Sequence, residues 1–178
     1  MALHVRVEQG SAVGYRGNSR VVGTLRWSTS CAVGWCLVFA CLHLYWAVGG
    51  SVGLSSSAGQ ELATTRPVVF VVAGLYGVAV LLVCGGVLAV AVARDCLGAR
   101  RLLLLQTLAG LLGAGLLLRG VLLEGVLLAD LGGVREQVGP LETRWSLAIW
   151  NPWFALGGVV FLTHTWVCRR KALIKRVS

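Results

Sequence analysis

The sequence predicts an all-α polytopic membrane protein, a four-transmembrane-helix bundle with both termini cytoplasmic. Composition, four long apolar runs and the placement of the basic residues together predict it. Of 178 residues, 57% are apolar and only 13% charged, with a mean hydropathy of +0.80. A soluble domain carries about 25% charge, so half of the usual polar surface is missing. That excludes a soluble globular protein, a nucleic-acid binder and a disordered tail. The net charge of +9 would elsewhere suggest phosphate partners; here it bears on orientation instead.

Crossing about 30 Å of hydrocarbon takes roughly 20 helical residues. Four stretches qualify, at about 29–49, 67–93, 102–128 and 145–167. A β-barrel would need many alternating segments of about ten residues, and the sequence has none. Helices satisfy every backbone polar group inside lipid.

The elements follow in order. Residues 1–28 form a basic N-terminal arm with Arg6, Arg16, Arg20 and Arg26. The arm lacks the apolar core of a signal peptide, so the first span reads as a retained helix behind a mobile arm. The connection between the second and third spans carries Arg94, Arg100 and Arg101, and the basic tail 169–178 carries Arg169, Arg170, Lys171, Lys175 and Arg176. These three segments hold twelve basic residues against two acidic ones, Glu8 and Asp95. The other two loops hold Arg66, Arg135 and Arg144 against Glu61, Asp130, Glu136 and Glu142. By the positive-inside rule both termini face the cytoplasm in a multi-pass cell-membrane protein. The tail could also touch anionic lipid.

Glycine and alanine recur inside the spans at small-xxx-small spacing: Ala73 with Gly77, Gly85 with Ala89, and Ala109 with Gly113. Such pairs let backbones approach closely in lipid. They suit packing within one bundle, with a homo-oligomer as the competing use.

The chemistry-bearing residues exclude several enzyme classes. Cys31, Cys36, Cys41, Cys84, Cys96 and Cys168 include no C-x-x-C pair, so a quinone-linked thiol oxidoreductase lacks its redox dithiol. Within apolar helices Cys behaves as a small hydrophobe. His4, His43 and His164 lack ligand spacing to one another or to Cys. No phosphate-binding loop, nucleophile elbow or zinc-protease motif is present. No cofactor or metal is expected.

Depth is more informative. At about 1.5 Å per residue, His43, Tyr76, Arg119 and Asn151 each lie about 6 Å outward of the midplane, one from each span. Tyr45, Trp46, Trp150 and Trp153 lie around them, and Glu124 sits nearer the outer surface. Arg119 is the strongest single feature, because an Arg in a span costs at least about 2.5–3.5 kcal/mol and normally faces the bundle interior and a partner. Glu124 is its same-helix candidate, although i,i+5 spacing is poorer than i,i+3 or i,i+4. Asn151, the Tyr76 hydroxyl or a bound anion are others, and a purely structural or snorkelling Arg is the competing reading. His43 reads equally as a hydrogen-bonded packing residue. Trp46, Trp145 and Trp150 suit an interfacial belt, as do Trp27 and Trp166 on the inner face. Ser55–Ser57 and Gly59 read as plain loop.

Asn151-Pro152 is open to two readings. Asn151 can cap a helix that begins with Pro152, with an interfacial piece before it. Alternatively Pro152 kinks one longer helix, which is preferred because only about 17 residues run from Asn151 to Val167.

His43-Leu-Tyr-Trp-Ala-Val-Gly-Gly, Leu118-Arg-Gly, and Arg144-Trp followed by Trp150-Asn-Pro-Trp-Phe-Ala-Leu-Gly-Gly together resemble an actinobacterial family of four-helix integral membrane proteins, the DUF3995-like domain of unknown function. The resemblance covers roughly residues 29–168. It places His43, Tyr45, Trp46, Arg119, Asn151, Pro152 and Trp153 at the family's motif positions. It implies the fold and brings no activity.

The first expectation for function is a structural or small-ligand-binding bundle, its polar cluster of His43, Tyr45, Trp46, Tyr76, Arg119, Glu124, Asn151 and Trp153 holding a lipid, quinone or small anionic ligand. The alternative is a small membrane enzyme acting on a lipid-soluble substrate, with His43 or Glu124 as acid/base and Arg119 as anion stabiliser. A transporter or channel subunit comes third, because no clear internal repeat is present. The bilayer is the expected partner, and nucleic acid is not.

Overall fold

Long runs of Leu, Val and Ala make helix the favoured state of this chain wherever water is scarce, and the computed structural model is almost entirely helical. The backbone is described for residues 3–94 and 98–177, and the side chains for 23–94 and 98–173. Among the described residues there is no strand. The long elements are α1 (Leu3–Ala47), α4 (Val78–Ala93, preceded by a π-helical segment Phe70–Gly77), α5 (Ala99–Leu128) and α8 (Asn151–Val177, preceded by a π-helical segment Ser146–Trp150). Short helices α2 (Leu54–Ala58) and α3 (Gln60–Thr65) connect the first pair, and α6 (Val134–Val138) and α7 (Pro140–Trp145) connect the second.

Four helical stretches are long and apolar enough to cross a membrane: Gly23–Ala47, Phe70–Ala93, Ala99–Leu128 and Pro140–Leu173. The expected spans overlap these stretches, of which the first begins and ends earlier and the fourth is longer at both ends. The helix of the first span continues back to Leu3, so the backbone of the expected mobile arm is helical. The tail likewise continues α8 to Val177. Asp95, Cys96, the side chains of residues 1–22 and those of Lys175 and Arg176 lie outside the described residues.

Packing runs round a ring in the order α4, α1, α8, α5. The α5–α8 contact is the most extensive and α1–α4 the next, while α4 and α5, adjacent in sequence, meet only sparsely. Glycine decides the tight seam. A Cβ on Gly113 would lie 3.0 Å from Leu162 N, and one on Gly120 would lie 2.6 Å from Ala155 N. Ala109 is fully buried in the core, so the Ala109–Gly113 pair does bring helices together. Gly85 and Gly86 face Cys36 of α1. Ala73 is exposed and Gly77 meets nothing beyond its own helix, so that pair packs no neighbour. Outward faces of α4 and α5 show Val80, Val87, Leu103, Leu111 and Leu118, an apolar surface of the kind lipid covers.

The two ends of the bundle differ. At the end carrying the interhelical loops 48–66 and 129–139, side chains tie the short helices down. Trp46 Nε1 donates to Val52 O at 2.8 Å, Trp150 Nε1 to Ser56 O at 3.0 Å, and Arg66 donates to Trp46 O at 2.9 Å and to Gly50 O. Ser55–Ser57 are therefore helical rather than plain loop. Trp46 is 1% exposed, and its interior place replaces the expected belt position. Trp27, Trp145 and Trp166 are exposed. Arg135 closes α5 by donating to Leu127 O at 2.6 Å and Leu128 O at 2.8 Å, meeting carbonyls left free at a helix end.

Candidate functional site

The site begins with the helix around Pro152. Asn151 has φ −66° and ψ −45°, ordinary right-handed helix, and the chain is helical from Pro140 onward. Asn151 therefore does not cap a new helix, and the reading of one longer helix interrupted at the proline is the one observed. Proline lacks an N–H and its ring crowds the carbonyl four residues back; the wide π-helical turn at Ser146–Trp150 absorbs that mismatch. The result turns Asn151 inward, where it is 3% exposed.

There Asn151 donates its side-chain amide to Glu124 Oε2 at 3.1 Å. The expected Arg119–Glu124 pair is not formed. Spaced five residues apart on α5, the two side chains diverge, and the Arg119 guanidinium lies over the Phe154 ring, 3.6 Å from its centroid. That geometry is a cation–π contact.

An aromatic array backs this region. Trp35 stacks on Trp153 at 5.9 Å and meets Phe39 at 5.6 Å, while Phe39 meets Phe154 at 5.4 Å and His43 at 4.6 Å. Trp35 Nε1 donates to Trp153 O at 3.1 Å, and its ring lies against Gly157, leaving no room for a Cβ. Trp153 Nε1 is buried without a hydrogen-bond partner. His43 donates from Nδ1 to Phe39 O at 2.9 Å. A carbonyl only accepts, so Nε2 carries the lone pair of the neutral ring.

Between the four long helices lies a cleft of about 520 Å³. Trp35, Cys36, Phe39 and His43 of α1, Leu81, Leu82 and Gly85 of α4, Leu112, Leu116, Arg119 and Leu123 of α5, and Asn151, Phe154 and Phe161 of α8 line it. Ser57, Val134, Val138, Ser146 and Trp150 line its loop end. The structure thus gathers His43, Arg119 and Asn151 on one cleft, with Glu124 bonded behind Asn151, while Trp46 is buried and Trp153 half-buried beside them. It does not bring Tyr76 or Tyr45 in. Tyr76 is exposed on the π-helical segment, and Tyr45 turns to cover Gly50. Helical phase turns both away from the cleft.

A second polar group lies nearer the terminal end, and sequence spacing did not single it out. His164 is fully buried, donating from Nε2 to Ala89 O at 2.9 Å, with Nδ1 3.2 Å from Ser28 Oγ. Cys168 Sγ lies 3.8 Å from the ring. The available signal was His164 and Cys168 at i,i+4, which share a helix face. No group of three metal-ligating side chains exists among the described residues.

Four apolar helices of membrane-spanning length around a mainly apolar cleft with a few converging polar groups define a four-helix membrane-type bundle. The chain belongs to the family described as protein of unknown function (DUF3995), whose family model matches residues 36–161. The match contains the cleft's polar residues and the aromatic array except Trp35, which lies one residue before it, and stops short of His164. Comparisons with curated proteins and with solved structures return no match.

Proposed function

We propose that this is a multi-pass cell-membrane protein, with both termini cytoplasmic, that holds a small lipid-soluble molecule in the cleft. The observation that carries the reading is the cleft itself, about 520 Å³, within the roughly 300–1,000 Å³ of small-molecule sites. Its wall is largely apolar, while His43, Arg119 and Asn151 supply the few polar groups that orient a ligand. The orientation rests on the excess of Lys and Arg beside the termini and the 94–101 connection.

The test is purification in mild detergent followed by native mass spectrometry of the intact protein. The wild type is expected to retain a co-extracted lipid-soluble molecule. Leu116→Trp, which fills the cleft, is expected to lose it while keeping its helical circular dichroism. Equal occupancy in both, or none in either, would sink the reading. Reporter fusions at the C-terminus and in loop 129–139 check the orientation.

An enzyme reading is favoured by one observation. His43 lines the cleft with a nitrogen free to accept a proton, whereas Glu124 is engaged by Asn151. His43, rather than Glu124, is then the acid/base candidate, with Arg119 opposing developing negative charge. A purified protein that binds but never converts its co-extracted molecule removes this reading.

A further inference from the structure

Resting on the cleft as a binding site, we propose that its occupant is a single-chain carboxylate of fatty-acid type, its tail between α4 and α5 and its head on Arg119. Arg119 lies nine residues before the end of α5 at Leu128, about 13 Å along the axis. Its planar face is taken by Phe154 at 3.6 Å. Stacking leaves the in-plane edge, with five N–H donors, and no acceptor among the described residues meets them. The one acid further along the same helix, Glu124, is bonded to Asn151. Arg119 is exposed on the open side of the cleft, so once α5 spans a membrane its cation meets apolar surroundings without an anion, the arrangement that span-embedded Arg side chains normally avoid by pairing.

The missing group has a shape and a charge. A guanidinium edge matches a carboxylate with two parallel hydrogen bonds. Arg119 offers a single positive charge to the cleft, and Glu124 is bonded at its margin. A dianionic phosphate would bring a second negative charge that nothing compensates. The tail's place follows from the ring of helices. Leu81, Leu82, Leu112 and Leu116 line the cleft where α4 and α5 pack sparsely, a strip that a hydrocarbon chain fills.

The full-length protein in nanodiscs of uncharged phosphatidylcholine, titrated with oleate, oleyl alcohol and farnesyl phosphate, tests this. Oleate is expected to saturate one site per chain. Arg119→Gln is expected to weaken oleate about 10- to 100-fold, the loss of one or more charge-assisted hydrogen bonds, while leaving weaker oleyl alcohol binding unchanged. Arg119→Lys, which keeps the charge without the fork, is expected to lie between; it serves alone if Arg119→Gln fails to fold. Unchanged oleate binding in a folded Arg119→Gln, or farnesyl phosphate bound more tightly than oleate, overturns the carboxylate assignment. If Leu116→Trp still abolishes binding in those cases, the cleft reading stands and only the ligand class falls. If no probe binds the wild type, the assignment falls too, and the co-extraction experiment judges the cleft separately.

Discussion

Asn151 and Glu124 join α8 to α5 through one hydrogen bond of 3.1 Å, at a position where Asn151 is 3% exposed. The bond crosses the seam that holds the most extensive helix–helix contact. It also releases Arg119 from the acid that shares its helix.

Asn151→Ala is expected to leave the Glu124 carboxylate without its amide. The expected loss is about 1–3 kcal/mol, read by reversible unfolding in mixed micelles. Glu124→Gln keeps an acceptor oxygen and is expected to cost less. The double-mutant cycle should show a coupling near the upper end of the roughly 0.6–1.7 kcal/mol found between membrane helices; additive effects would refute the bond.

The glycines of α5 should separate by the face they occupy. A Cβ at Gly120 would lie 2.6 Å from Ala155 N and 2.7 Å from Asn151 O, backbone atoms that can yield only by parting the helices. Gly120→Ala is expected to destabilise by about 1–3 kcal/mol. Gly115 and Gly125 meet nothing within 4 Å, so Ala there is expected to be neutral or to gain up to about 1 kcal/mol of helix propensity. Melting temperatures of the three variants in one detergent decide it.

Arg66 holds the first loop by its bonds to Trp46 O and Gly50 O. Arg66→Ala is expected to speed amide hydrogen exchange across residues 49–58 by about tenfold or more, the loss of bonds to a charged group. Exchange in α5 should not change. Uniform acceleration along the chain would mean global destabilisation instead.

His164 ties α8 to α4 through Ala89 O and approaches Ser28 of α1. Its replacement by Leu removes the buried side-chain bonds that join α8 to α4 and α1, with an expected loss of about 1–3 kcal/mol. Ser28→Ala is expected to cost about 1 kcal/mol. A thermal melt of His164→Leu that overlays the wild type would show that this cluster is dispensable.

Hydropathy and length were sufficient for the helices because lipid leaves a spanning backbone little other choice. Residue count along each helix also grouped His43, Arg119 and Asn151, which line one cleft. Rotation about each axis was less accessible. The π-helical segments at Phe70–Gly77 and Ser146–Trp150 widen the turn, so an ideal 3.6-residue period misassigns the faces around them; Tyr76 sits inside the first. Nor could spacing show that Phe154 would take the face of Arg119, which needs the mutual angle of α5 and α8. Trp46 was misread for a related reason: amphipathic indoles suit an interface, but a loop carbonyl at Val52 gives this one an interior partner.

Ring order has a consequence for biosynthesis. Chains emerge from the N-terminus, so α1 and α4 can pair as soon as both are made. The next helix, α5, finds little to hold on α4, and its true neighbour has not yet been translated. During that interval Arg119 and Glu124 sit in a helix without Phe154 or Asn151, when insertion of an Arg alone costs at least about 2.5–3.5 kcal/mol. Nascent chains stalled before α8 should therefore hold α5 only loosely in the membrane, and translation of the last helix should secure the one before it.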